Sequence, residues 1–170
     1  MPDQLLLLPP MHPEQSIEIS CSHRRLVWSE GELLGSVAAI RKHLGKSMPP
    51  GMLSIALLTG PQLSRIHGQF LDDPSPTDVI TFPGDHEEDF AGEICVSVSR
   101  AWSACRKHQT SFSDELTLYL VHGCLHLAGF DDHSAKDIAA MRRGEQSTME
   151  HLRSKGLIPH FAMKDKPVRS

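Results

Sequence analysis

The segment His122–His133 has the sequence HGCLHLAGFDDH, and its spacing decides how the rest of the chain is interpreted. His122 and His126 are four residues apart in a strongly helical stretch, so their side chains project from one helix face, one turn apart. Gly129 follows within one turn and favours a left-handed residue that ends the helix. The chain can then turn back and carry His133 toward the two helical imidazoles. The segment therefore predicts a helix, a glycine stop and a returning third histidine.

Three imidazoles with an open fourth position are typical of a catalytic zinc site, in which zinc lowers the pKa of a bound water toward ~7. Spacing alone is weak evidence, because a chain with 11 histidines contains about 0.7 such pairs by chance. The plain alternative is a pair of histidines on a polar helix face. Asp131 and Asp132 lie in the returning segment and are candidates for catalysis or for fixing the imidazole tautomers, and Glu115 is a further catalytic candidate. Cys124 would face the opposite side of the helix and is not expected to be a ligand.

The residue after the first histidine distinguishes zinc peptidases from other zinc hydrolases. Zinc peptidases of the H-E-x-x-H type carry their general base there. This chain has Gly123, which can transfer no proton. A metallopeptidase is therefore the less favoured alternative.

Outward from this segment, the sequence alternates between strand-like and helix-like stretches. A capping-box pattern, Ser29 with Glu32, precedes the first predicted helix. The order β-α-β-α-β-β-α-α-α predicts a single α+β domain, a small mixed sheet covered by helices. We expect an irregular arm at 1–15, the domain at 16–157 and a polar tail at 158–170. The predicted strands are 16–21, 52–59, 78–82 and 93–99, and the predicted helices are 30–44, 61–70, 100–108, about 113–128 and 135–155.

Composition limits the classes of partner and compartment. A formal net charge of −4 argues against a surface coated in basic residues, so a nucleic-acid partner would require a local basic patch. The four cysteines form no C-x-x-C pair and predict reduced thiols. The N-terminal MPDQLLLLPP lacks the features of a signal peptide, and no stretch approaches the ~20 apolar residues of a membrane span. We expect a cytoplasmic protein with no membrane association.

Six basic residues on predicted helices could form a phosphate-binding rim, although a solvated helix face is the commoner role for any one of them: Arg41, Lys42, Lys46, Arg100, Arg106 and Lys107.

The motif at 122–133 resembles the HGxLHLxGYDH signature of the bacterial YbeY family, endoribonucleases and ribosomal RNA maturation factors. SPTDVITFP at 75–83 is similar to the family's D-x-P-T-D-V-L-S-F-P segment, and AGEI at 91–94 stands where the family has L-G-D-I. The resemblance covers about 17–156. It implies a metzincin-like zinc-hydrolase fold and one Zn²⁺ per chain, held by the three motif histidines. It also implies cleavage of single-stranded RNA, maturation of the 16S rRNA 3′ end and ribosome quality control on the small subunit.

This chain departs from the family pattern at two places. The family has six residues from the second to the third histidine, whereas here the step is seven because Asp131 and Asp132 replace a single Asp. The alignment still assigns the third ligand to His133. In the family's L-N-x-x-Y-R segment, Leu71 replaces an arginine that is thought to contact RNA, and His67 replaces an asparagine.

The missing arginine leaves the RNA contacts and part of the function open. The remaining candidates for RNA contact are Arg65, His67, Thr77 and Asp78. A noncatalytic ribosome-assembly factor, in which the metal mainly stabilises the fold, is the alternative from a different class. For a nuclease, zinc would either activate a water or polarise a phosphoryl oxygen, and the sequence does not choose between them. The sequence predicts no oligomeric state.

Overall fold

The structure is a computed structural model that describes residues 16–72 and 77–167. The predicted strands and helices all form, and two short strands and two 3-10 turns accompany them. The elements are β1 (Ile17–Cys21), β2 (Leu26–Val27), α1 (Glu30–Leu44), a 3-10 turn (Gly45–Ser47), β3 (Met52–Leu58), α2 (Gly60–Leu71), β4 (Val79–Asp85), a second 3-10 turn (His86–Glu88), β5 (Phe90–Ser97), α3 (Val98–His108), α4 (Phe112–Leu127), α5 (Ala135–Ser154) and β6 (Ala162–Met163).

The central sheet has four strands in the order β1-β3-β5-β4. β1, β3 and β5 are parallel to one another, and β4 runs antiparallel to β5 at the edge. Among the residues that the structure describes, β4 pairs with no strand on its outer side. The prediction of a mixed sheet flanked by helices in a single α+β domain is confirmed.

Caps set the ends of the helices. The Ser29 side chain accepts a hydrogen bond from the Glu32 amide and starts α1, which confirms the N-cap of the predicted capping box. The Glu32 carboxylate accepts the His160 amide at 2.9 Å instead of completing the box. Ser97 likewise accepts from the Arg100 amide, so α3 begins at Val98 and β5 ends earlier than the sequence suggested. The predicted change from strand to helix, after residue 99, fell two residues late because Ser97, Val98 and Ser99 alternate between polar and apolar as a strand does.

Helix α4 forms the centre of the hydrophobic core. Its inner face is fully or almost fully buried against the sheet and the other helices, through Leu116, Leu120, Val121, Cys124 and Leu125. Burying these side chains fixes the rotation of the helix. The two histidines of its last turns consequently lie half-buried at the border between the core and solvent.

The first part of the predicted polar tail packs on the domain. Phe161 is 3% exposed and belongs to the core. β6 pairs antiparallel with β2, Leu26 opposite Met163. Packing therefore extends past the expected boundary at residue 157, whereas the predicted arm at 1–15 lies outside the described residues. None of the helices in the described part of the chain combines the length and the hydropathy that crossing a membrane requires.

Candidate metal centre

The end of α4 has the geometry that its glycine predicts. Gly129 has φ 96°, and its amide donates to the carbonyl of His126 at 3.0 Å. The Phe130 amide donates to the carbonyl of Leu125, also at 3.0 Å. This pair of bonds is a Schellman motif, and it reverses the chain directly after the histidine pair.

The next helix fixes the far end of the returning segment. Ser134 is the N-cap of α5 and forms a capping box with Asp137. Only 131–133 lie between Phe130, which closes the first motif, and this cap. The returning segment is thus a short loop held at both ends.

Within this loop, an aspartate lies beside the histidine pair. The Nε2 atoms of His122 and His126 are 3.0 Å apart. Asp132 Oδ2 lies 3.7 Å from the first and 3.6 Å from the second. These three ligand atoms form a group that could hold a metal ion. The structure therefore brings together His122, His126 and Asp132.

His133, the third ligand predicted from the sequence, is placed differently. Its side chain is 85% exposed, and its Nε2 lies 3.2 Å from Asp131 Oδ1. It belongs to a second group with Asp131 and Asp132, all three of which are exposed residues. Asp132, and not His133, lies six residues after His126, which is the family's spacing. The one-residue advance to His133 turns its side chain away from the pair. The role of His133 as a ligand stays a prediction.

The Nδ1 atoms of the two helical histidines both face groups that only accept hydrogen bonds. His122 Nδ1–H donates to Glu145 Oε1 at 2.7 Å, and His126 Nδ1–H donates to the Phe130 carbonyl at 3.2 Å. In the neutral rings, both Nε2 atoms then carry lone pairs directed into the space beside Asp132. This donor set fits a divalent cation, since without positive charge three electron-rich atoms would face one another.

Carboxylates dominate the electrostatics of the site. Burial by itself would lower the pKa of His122, but the hydrogen bond and charge of Glu145, with the charges of Asp78 and Asp132, raise it overall. The surroundings therefore favour positive charge at this place. Glu145 was not identified from the sequence, because it lies on α5, 23 residues from its partner. No local pattern marks such a pair.

Three further side chains of α4 are Glu115, which the sequence offered as a catalytic candidate, Tyr119, which precedes His122 by three residues, and Cys124. Glu115 accepts a hydrogen bond from Thr110 Oγ1 at 3.1 Å, near the start of α4. Burial, together with the charges of Glu115 and Asp78, raises the pKa of Tyr119 to about 12, so this phenol stays neutral. Cys124 is completely buried in the core, as its helix position predicted.

Two of the RNA-contact candidates adjoin β4, and the other two lie on α2. Thr77 and Asp78 are half-buried directly before the strand, and Asp78 Oδ1 accepts a hydrogen bond from the Val79 amide at 2.9 Å. Through its charge on His122, Asp78 also belongs to the surroundings of the site. On α2, Arg65 is exposed and His67 is half-buried. Leu71, at the end of this helix, is 55% exposed.

Two of the six predicted rim residues make contacts within the fold. Arg41 donates to the carbonyls of Ser16, Pro49 and Gly51 at 3.3, 3.2 and 2.9 Å. The Arg106 guanidinium lies 5.8 Å from the centre of the Trp102 ring. The three carbonyls give Arg41 a structural role, whereas Arg106 is exposed beside Trp102.

A cavity of about 220 Å³ lies between β4 and the end of α4. His126 forms part of its wall, so this member of the histidine pair borders the space. Further wall residues include Thr81, Pro83 and His86. Sequence reasoning did not identify His86, because an isolated histidine in an acidic loop gives no signal of its partners.

Fold and site together define a single-domain α+β protein with a candidate metal centre at the end of its central helix. The description "Endoribonuclease YbeY" belongs to the family model that matches residues 29–153, well over half of the chain. The chain belongs to the YbeY family.

Individual relatives agree with this membership. An endoribonuclease YbeY of Protochlamydia amoebophila is 38% identical over 95 residues, 54% of this chain and 63% of that protein. One from an Exiguobacterium species is 29% identical over 146 residues, 78% of this chain and 92% of the relative. The solution structure of TM1509 from Thermotoga maritima matches with a TM-score of 0.59 at 22% identity, covering 91% of this chain and 99% of that one. This last likeness supports the fold alone.

Proposed function

We propose that this chain is a metal-dependent endoribonuclease that cleaves single-stranded regions of ribosomal RNA during maturation of the small subunit, in the cytoplasm. One observation carries the proposal. The chain belongs to a family described as endoribonucleases, and it brings two imidazoles and a carboxylate within 4.8 Å of one another, with one of the imidazoles in the wall of a cavity. Zinc, one ion per chain, is the metal that we propose.

His122 and His126 would hold the metal, together with a residue of the returning loop. When bound, a divalent cation supplies a Lewis acid for phosphodiester cleavage, by polarising a phosphoryl oxygen or lowering the pKa of an attacking water. Glu145 and the Phe130 carbonyl orient the two imidazoles through their Nδ1–H groups. Such partners keep the ligand nitrogens in the correct tautomer and raise their basicity.

The charge around the site makes RNA binding dependent on the cation. Asp78, Asp132 and Glu145 act on His122, and phosphates would meet this negative charge whenever the cation is absent. We therefore expect a chelator to weaken RNA binding as well as cleavage. The edge strand β4 and the adjoining cavity give an extended, single-stranded segment a place to lie beside His126.

A peptidase is disfavoured by packing as well as by chemistry. A Cβ atom at Gly123 would lie 2.5 Å from Ile94 Cγ2 and 3.3 Å from Val79 Cγ1. A glutamate at this position would point into the helix–sheet interface, not toward the histidines. The H-E-x-x-H arrangement is therefore incompatible with this packing.

The test is cleavage of matched single-stranded and structured RNA by purified protein, with and without a chelator. His126→Ala removes a ligand, and His108→Ala, an exposed residue at the end of α3, is the matched control. We expect His126→Ala to lose metal and cleavage and to melt at a lower temperature, because metal binding contributes to folding. The control should retain all three. If the wild-type protein binds RNA but does not cleave it under any metal condition, the ribosome-assembly factor replaces the nuclease.

A further inference from the structure

We propose that the third protein ligand of the metal is Asp132 and not His133, so that the centre consists of two imidazoles and one carboxylate. The inference rests on the metal site of the proposed function. It departs from the three-histidine set that the sequence motif implies.

The separations of the three atoms match a common metal ligand sphere. His122 Nε2, His126 Nε2 and Asp132 Oδ2 are 3.0, 3.6 and 3.7 Å apart. The point equidistant from these atoms lies about 2.0 Å from each, which is the usual length of Zn–N and Zn–O bonds. A cation can therefore enter without movement of the backbone.

The direction of the lone pairs also supports Asp132 as the third ligand. Both histidine Nδ1–H groups are used by Glu145 and the Phe130 carbonyl. The two Nε2 atoms thus face Asp132 as bases, and its carboxylate adds the negative charge. Within the described residues, this is the group of ligand atoms that contains both helical histidines.

The anchoring of the loop keeps His133 out of this position. Phe130 is held by the Schellman motif, and Ser134 caps α5. Asp131 Oδ1 accepts the Asp132 amide at 2.8 Å and lies 3.2 Å from His133 Nε2 on the outer side of the loop. Exchanging Asp132 for His133 would shift the loop by one residue, and this shift would break one of the two caps. The extra aspartate of the motif has therefore moved the third histidine beyond the site.

A carboxylate changes the chemistry of the centre. It replaces a neutral nitrogen with a charged, hard oxygen, and hard oxygen ligands suit manganese and magnesium better than imidazole does. We expect this centre to discriminate less strongly between Zn²⁺ and Mn²⁺ than a three-histidine centre. Asp132→His would restore a third imidazole six residues after His126, as in the family motif, and should increase the discrimination between the two metals.

The test is metal binding by the apo protein, measured as the Zn²⁺ dissociation constant in competition with a chromophoric chelator. Asp132→Ala should raise the constant at least about 100-fold because a ligand is lost, whereas His133→Ala should change it less than about threefold. Visible absorption of the Co²⁺-loaded proteins supplies a second readout, and the spectrum should change only in the Asp132 variant. Both residues are exposed, and circular dichroism of the apo proteins checks that both variants fold.

The outcomes separate this inference from the proposed function. Loss of affinity in His133→Ala, or full affinity in Asp132→Ala, overturns the assignment of Asp132. In either case, His126→Ala should still abolish binding if the metal site exists. If His126→Ala also retains wild-type affinity, there is no metal at the histidine pair, and the proposed function fails together with the inference.

Discussion

Gly123→Ala tests the packing that places the histidine pair. The glycine lies in the second half of α4, on the side that faces β5 and β4. An added Cβ atom would be 2.5 Å from Ile94 Cγ2 and 3.3 Å from both Ile94 Cδ1 and Val79 Cγ1. Carbon atoms normally pack at about 3.5–4.0 Å, so the overlap with Cγ2 is about 1 Å.

The structure leaves this overlap little room to relax. Ile94 is completely buried on an interior strand, and its β-branched side chain has few rotamers. Overpacking at such a site costs about 3 kcal/mol, the upper part of the usual range. Alanine regains about 1 kcal/mol through its higher helix propensity. We therefore expect a net loss of about 2 kcal/mol, which lowers the melting temperature by about 4–8 °C for a chain of this size.

The matched control is Gly35→Ala in α1. A Cβ atom at Gly35 meets no neighbouring atom within 4 Å, so this variant should gain up to about 1 kcal/mol. Urea unfolding of the metal-free proteins measures both changes, and Ile94→Ala as a second background should reduce the cost of Gly123→Ala. Equal stability of the two glycine variants would refute the close contact between α4 and β5.

Three further predictions concern the metal centre and RNA. Glu145→Ala should lower metal affinity by about 10–100-fold, because His122 loses its orienting carboxylate. The control variant, Glu150→Ala on the same helix, should leave the affinity unchanged. Equal effects of the two variants in a chelator competition would contradict the role of Glu145. Gly129→Ala should cost about 1–2 kcal/mol in urea unfolding because an L-residue is strained at φ 96°, and an unchanged midpoint would mean that the helix ends differently. Leu71→Arg should strengthen binding of single-stranded RNA, and Arg65→Ala should weaken it by about 1–3 kcal/mol. If titrations across a range of salt concentrations show neither effect, this part of α2 does not contact RNA.

Much of the fold could be predicted from local patterns. Ser29 and the apolar spacing after it gave α1 its bounds, and both were confirmed. The pattern at Gly129 likewise predicted a left-handed stop, and the Schellman motif confirms it. Such features depend on hydrogen bonds between residues a few positions apart, so a linear pattern contains the required information. Element ends that depend on competing caps, such as the border between β5 and α3, were less well predicted.

The sequence by itself determined the element order, the family and the histidine pair of α4, because each depends on residue types at short, fixed spacings. Tertiary structure decided which groups complete the site. Glu145 meets His122 only because α5 packs beside α4, across 23 residues of sequence. Asp132, and not His133, faces the pair because two caps fix the loop between the helices. A motif records the order of side chains, but their directions in an irregular loop follow from where both ends of that loop are anchored.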